Sequence, residues 1–189
     1  QKSIKISFEI KFLNISKFEL KIVNGTNESV HLLLDTLNLN IVNKNDGDGY
    51  GDIESKIFSN VFFYNSKKYN IPVCIRATTG VSDYSIEERL SMHLDDYFKK
   101  YTVNIAPNNT KTIIYNLKNM DPDCYDFPMD HKRYRFQLIY PGEEIKKIID
   151  KAVKSTKLNS YIANTYSKLL FINIKSNYSS GYFWVDKNE

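Results

Sequence analysis

The chain opens on strict alternation. In Ser3-Ile4-Lys5-Ile6-Ser7-Phe8-Glu9-Ile10-Lys11-Phe12 the residues Ile4, Ile6, Phe8, Ile10 and Phe12 fall on one face. That period of two is the mark of a half-buried strand. Phe18, Leu20 and Ile22 repeat it, and Asn24-Gly25-Thr26-Asn27 reads as a turn. Val30 to Val42 reads as strand again. Its first part, Val30-His31-Leu32-Leu33-Leu34, has the unbroken apolar run of a strand covered on both faces, and Leu37, Leu39 and Ile41 then alternate. Asn43 to Asp52 is a polar, glycine-rich loop. Ile57 to Tyr64 and Tyr69 to Ala77 are two more strands, and Pro72 puts the second at an edge or a bulge.

The period changes over residues 83–98. Ser85 followed by Glu88 forms a capping-box pattern, and Ile86, Leu90, His93, Leu94 and Tyr97 share a helical face. Tyr101, Val103 and Ile105 alternate once more. Pro107-Asn108-Asn109-Thr110 then turns the chain into Thr112 to Leu117, which reads as a hairpin. Tyr134, Phe136, Leu138 and Tyr140 make a further strand. A second helix over 143–156 carries the stripe Ile145, Ile148, Ile149, Ala152 and Val153. Glu143 and Glu144 lie in its first turn and Lys151, Lys154 and Lys157 towards its end, both placed to suit the helix dipole. Leu169 to Ile174 and Tyr182 to Val185 read as strands around a turn at Ser176 to Gly181. The sum is about ten strands and two helices without βαβ alternation. Turn signals at roughly ten-residue spacing predict a mainly-β, antiparallel, immunoglobulin-like β-sandwich, with residues 1–189 forming a single domain with helical insertions.

Composition narrows the function classes. The sequence has 189 residues, 42% of them hydrophobic and 25% charged, which supports a packed core and excludes a disordered tail. No apolar run is long enough to span a membrane as a helix. The net charge is +4, from 26 basic and 22 acidic residues scattered along the chain. Arg occurs only at positions 76, 89, 133 and 135. Specific nucleic-acid readers favour Arg for bidentate contacts, so no nucleic-acid partner is expected.

Candidate chemistry is sparse. Asp46, Asp48 and Asp52, set among Gly47, Gly49 and Gly51, offer hard oxygen donors on a pliable backbone, as calcium requires. The stretch Asp46 to Asp52 resembles a thrombospondin type 3 calcium repeat, which implies calcium as a cofactor. It departs from that pattern at Lys44 and Ser55, where the repeat has acids. Asp121 to His131 gathers carboxylates with Cys124 and His131, but at no zinc spacing. Cys74 and Cys124 would close a loop of about 50 residues as a disulfide, contributing about 4 kcal/mol, or would be two core thiols in a reducing compartment. There is no nucleophile elbow, P-loop or dinucleotide fingerprint. His31 and His93 sit in apolar settings that suit packed histidines. A hydrolase would need His31, His93 or His131 beside a hidden partner, and the expectation is that the chain is not an enzyme. Loop tyrosines Tyr50, Tyr125, Tyr178 and Tyr182 are candidates for a partner-binding surface, since Tyr buries contact area at low entropic cost. The sequons at Asn14, Asn24, Asn27, Asn108 and Asn177 matter only in a secreted eukaryotic protein.

Phe8-Glu9-Ile10 followed by Leu20 to Thr26, and Val103 to Asn108 leading into Ile113-Ile114-Tyr115, resemble in style the β-sandwich domains of uncharacterised envelope lipoproteins of Bacteroidota. The bias to Lys, Asn, Ile, Tyr and Phe fits an AT-rich genome of that kind. The resemblance implies a periplasmic or outer-membrane-anchored protein with a lipid anchor upstream of Gln1, or else a secreted one. Such lipoproteins include immunity proteins that neutralise interbacterial toxins. The expectation is therefore a non-catalytic module with one protein partner, a toxin or an envelope protein. The alternative is a calcium-dependent adhesion or carbohydrate-binding sandwich that uses the Asp46–Asp52 loop. A calcium titration separates the two. The alternative predicts a melting temperature that rises with calcium and falls back with EDTA, by linkage of binding to folding, whereas the first reading predicts a flat response.

Overall fold

Burial follows the alternation at the start of the chain. In the computed structural model, strand β1 (Ile6–Asn14) turns Ile6, Phe8 and Ile10 inward and Ser7, Glu9 and Lys11 outward. Strand β2 (Lys17–Asn24) buries Phe18, Leu20 and Ile22. The structure describes residues 5–14, 17–37, 39–43, 60–64, 86–116, 133–157 and 159–182. The predicted strand 69–77, Ser85 of the capping box, Cys74 and Cys124 lie outside these residues.

The other strands are β3 (Val30–Leu33), β4 (Leu39–Asn43), β5 (Asn60–Tyr64), β6 (Thr102–Ile105), β7 (Asn109–Asn116), β8 (Arg133–Pro141) and β9 (Asn173–Tyr182). The helices are α1 (Ile86–Tyr101), α2 (Gly142–Ser155) and α3 (Ser160–Lys168). The described chain is mainly β. Strands β1, β2 and β7 form one antiparallel sheet, β3 and β6 pair separately, and β4, β5, β8 and β9 form a third sheet in that order. One pair, β4 with β5, is parallel. This corrects the expectation of antiparallel pairing throughout. Parallel neighbours cannot be joined as a hairpin and need a crossover.

The predicted hairpin 101–117 is also corrected. β6 pairs with β3, not with β7, and β7 pairs with β2. The registers show why. Asn24 faces Asn109 at the end of one ladder, and Val30 faces Ile105 at the start of the other. β2–β3 and β6–β7 are thus one antiparallel ribbon that bends at residues 25–29 and 106–108. Sheets change layer at such corners. Asn108 takes the left-handed conformation, φ 52°, that Asn tolerates better than most residues, and its N–H donates to the Thr26 carbonyl at 3.0 Å.

A second bend ends β3. The Asp35 carboxylate accepts from Leu37 N at 2.8 Å, an Asx turn that splits the predicted strand 30–42 and leaves Leu37 exposed. Near the C-terminus, Ser176 to Gly181 is not a turn but the middle of β9. The β8–β9 register slips between Gln137 and Ile139, so β9 carries a bulge there. The Ser176 hydroxyl accepts from Leu138 N at 2.8 Å, so the buried N–H keeps a partner across the slip. The predicted strand 169–174 is in turn the C-cap of α3 at Leu169, a linker and the start of β9. Sequence patterning missed α3 altogether, because SYIANTYSK is rich in residues of middling helix propensity. Asn159 starts this helix by accepting from Ile162 N at 2.8 Å.

The helices close the core. Leu90, Leu94 and Phe98 of α1 and Ile145, Ile149 and Ala152 of α2 join the buried faces of the strands in one apolar cluster. Each of these Leu, Ile and Phe side chains contributes about 1.5–3 kcal/mol when fully buried. α1 runs three residues past its predicted end. It is interrupted at His93, whose φ of −129° and ψ of 19° are not helical. His93 is exposed rather than packed, so its predicted place on the apolar stripe is corrected: Leu90, Leu94 and Phe98 form that stripe around the kink. Among the described residues no helix is long and apolar enough to cross a membrane.

Gly142 marks the tightest junction. It opens α2 and is buried, and a Cβ there would lie 2.2 Å from the Ile172 carbonyl oxygen. Asn173 Oδ1 accepts from Glu143 N at 3.2 Å, so the residue after Ile172 caps the helix that Gly142 lets approach. Gly142→Ala is expected to destabilise the fold by about 1–3 kcal/mol through overpacking against backbone, checked by urea denaturation. Wild-type stability in that variant would mean that the 172–173 linker yields freely.

Candidate functional site

The outward face of the sheets is built by simple alternation. Across β1, β2 and β7, Glu9 sits opposite Lys21, and Lys21 opposite Thr112. In the adjacent row Lys11 faces Glu19, and Glu19 faces Ile114. Opposite charges therefore meet directly across the strands, which favours pairing. Lys21 and Glu19 also form an ion pair at 3.3 Å. Two large apolar side chains of this sheet remain accessible, Ile114 at 47% and Leu13 at 46%, and Tyr178 of β9 is exposed at 43%.

Tyr178 owes its position to the β9 bulge. Upstream of the slip, Ile174 and Ser176 point inward. One extra residue shifts the alternation, so Tyr178, two residues beyond Ser176, is exposed opposite Gln137. Asn177, beside the slip, points sideways to β1. Its Oδ1 accepts from Ile10 N at 2.7 Å and its Nδ2 donates to the Ile10 carbonyl at 3.2 Å. The side-chain amide thus replaces a neighbouring strand at the edge of β1 and ties the β1–β2–β7 sheet to β9. Tyr178 is the residue that follows this link.

Of the predicted contact tyrosines, Tyr178 is exposed and lies on a strand rather than in a loop. Tyr182 ends β9 opposite Arg133. Tyr50 and Tyr125 lie outside the described residues, as do Asp46, Asp48, Asp52 and His131. Ile114 and Leu13 were not singled out in the sequence. The alternation of Ile113 and Tyr115 around Ile114 was the available signal, since two inward neighbours force the residue between them outward.

Two groups of titratable side chains make contacts between elements, one half-exposed and one buried. The Tyr166 hydroxyl donates to Asp150 Oδ1, and Lys146 Nζ lies 2.6 Å from Asp150 Oδ2. Burial alone would raise the Asp150 pKa, but the bonds from Lys146 and Tyr166 outweigh it and hold the carboxyl below its ordinary range. The hydrogen bond to Asp150, with burial, raises the Tyr166 pKa and so favours the protonated phenol. The cluster fastens α3 to α2. Tyr140 is fully buried; its oxygen accepts from Leu33 N at 3.4 Å and its hydroxyl lies 3.5 Å from the Leu170 carbonyl. Burial pushes its pKa far up, again keeping it neutral.

His31 is half-buried in β3, and its backbone carbonyl accepts from Leu170 N at 2.8 Å. Nδ1 is buried and has no hydrogen-bond partner. Among the described residues no three of His, Cys, Asp and Glu assemble as a metal site. The sequon asparagines also divide. Asn14, Asn27 and Asn108 are exposed, whereas Asn24 is buried in the corner and the Asn177 amide is held by β1.

No protein-family model matches the sequence, and neither curated proteins nor solved structures give a match.

His31 supplies a pH prediction. Burial, and secondarily Lys168, lower its pKa from the ordinary 6.5. The unfolded chain therefore binds the proton first. Stability is full above about pH 6.5 and declines as pH falls towards the lowered native value, where the decline ends. His31→Gln should remove that part of the slope, measured as melting temperature against pH. An unchanged profile between pH 7 and 5 would show that His31 titrates alike in both states.

Proposed function

We propose that this chain is a non-catalytic protein-binding module of the bacterial cell envelope. It engages a toxin or envelope protein through the outward face of β1, β2, β7 and β9. The observation that carries this reading is the bulge-directed exposure of Tyr178 on β9, beside the Asn177 link to β1, together with the exposed Ile114 and Leu13 among paired Lys and Glu residues on the β1–β2–β7 sheet. Aromatic anchors within a charged surround are the usual composition of a protein-binding surface. Alternating charge adds orientation and partner choice. Strands hold these side chains in place before binding, which lowers the ordering cost.

The fold assigned to the module is an immunoglobulin-like sandwich. Its support is the ribbon corner at residues 25–29 and 106–108, which carries β3 and β6 away from the sheet of β2 and β7. An immunity protein fits the same surface, since neutralising a toxin requires tight binding and no turnover.

The test is capture from envelope and secreted fractions, with and without EDTA, comparing wild type with Tyr178→Ala and Ile114→Lys. A stoichiometric protein partner that survives EDTA and is lost at least about tenfold in either variant is expected, since central interface anchors are worth about 2 kcal/mol or more. Equal capture by wild type and both variants would overturn this surface. Capture only in calcium would transfer the case to Asp46, Asp48 and Asp52.

A further inference from the structure

Asn24-Gly25 is the sequence's single Asn-Gly pair. In this dipeptide the missing Cβ lets the Gly nitrogen approach the Asn side-chain carbonyl most easily. The Gly25 nitrogen attacks Asn24 Cγ and forms a new N–C bond. The Cγ–Nδ2 bond breaks, and ammonia leaves with the proton from the Gly25 N–H. Water then opens the cyclic imide at either carbonyl, giving aspartate or isoaspartate. Water is the only co-reactant.

The corner blocks every part of this reaction. Asn24 is 0% exposed. Its Nδ2 donates to the carbonyls of Glu28 at 2.8 Å, Ile105 at 3.1 Å and Ala106 at 3.0 Å. Its Oδ1 accepts from Thr26 N at 3.0 Å and from the Thr26 hydroxyl at 2.7 Å. The attacking group is held as well, because Gly25 N donates to the Lys5 carbonyl at 2.8 Å. Ring closure requires these bonds to be released together.

We infer that Asn24-Gly25 is a self-modification site sealed by the fold, whose conversion commits an opened chain to the unfolded state. The products do not fit the corner. Aspartate keeps the two Thr26 donors on one oxygen but places a second, acceptor-only oxygen where Nδ2 stood, facing three carbonyl oxygens and burying half of the carboxylate charge against them. Isoaspartate lengthens the backbone where Asn24 pairs with Asn109. The folded chain therefore keeps its amide, while a chain held open loses both the amide and the route back. Exposed asparagines such as Asn27 and Asn108 are followed by Glu28 and Asn109, whose side chains slow the same attack, so damage concentrates at the corner.

The experiment holds the full chain at mildly alkaline pH either native or in urea, then dilutes it into refolding buffer. Peptide mapping reads amide-to-acid conversion at residue 24, and circular dichroism reads the refolded fraction. Conversion is expected to be slower in the native hold by on the order of a hundredfold or more, because it must wait for the corner to open. Refolded yield should fall in proportion to conversion, with residue 24 intact in the refolded fraction and converted in the remainder. Gly25→Ala should keep its yield through the same urea hold. Equal conversion in both holds, or converted chains recovered with the wild-type melting temperature, would overturn the inference. If Gly25→Ala does not fold, the sorting of intact and converted wild-type chains decides the matter alone.

Discussion

The structure turns on one buried amide. Where the ribbon of β2–β3 and β6–β7 bends, the ladder of backbone hydrogen bonds is interrupted, and carbonyls at the corner need new donors. Asn24 supplies them, reaching Glu28, Ile105 and Ala106 with one nitrogen and Thr26 with its oxygen. A buried acceptor left alone, as the Ile105 carbonyl would be, costs about 1–3 kcal/mol, a sizeable part of a small domain's net stability. The corner in turn sets the direction of β3 and β6. Because α1 leads directly into β6, that direction also bears on where Leu90, Leu94 and Phe98 meet the core.

The β9 bulge uses the same device. Ser176 and Asn177 supply side-chain groups where backbone groups fall out of step, one inward to Leu138 and one sideways to Ile10. Both irregularities join sheets that regular pairing would leave separate. Small polar side chains at breaks in the ladder thus hold the layers in register, while the apolar residues supply the driving force without fixing the geometry. The same division explains why Tyr140 and Tyr166 bond to protein groups and remain neutral: each phenol ends a contact between elements.

This division also decides what the sequence discloses. The alternation in Ile6 to Ile10, Phe18 to Ile22 and Leu138 to Tyr140 fixes which faces are buried, and the stripe of α2 is equally plain. The corner, the bulge and α3 are hidden because Asn, Ser and Gly carry the same local signal in a turn, a bulge or a cap. Only the distant partner tells them apart. Ser176 to Gly181 reads as a turn until Leu138 and Ile10 are seen to need the polar groups it offers. The hairpin 101–117 failed for a related reason: local spacing shows that two strands are joined by a turn, not that they pair. The parallel pairing of β4 and β5 is set by long-range contacts that no local pattern records. Of the candidate surface, Tyr178 was visible as an aromatic without a core position, and its outward direction became clear only with the register slip.

The position of that slip links architecture to the proposed role. Had β9 kept regular alternation, the side chain two residues beyond Ser176 would continue the inward row and add to the core. Instead the slip ends the buried row at Ser176 and sends the next large side chain outward, beside the seam that Asn177 closes. The exposed aromatic therefore rests on a point held from two sheets. An anchor on a flexible loop would lose conformational freedom on binding, and this one has largely lost it on folding. The arrangement that completes the edge of β1 thus also positions the aromatic on which the proposed contact relies.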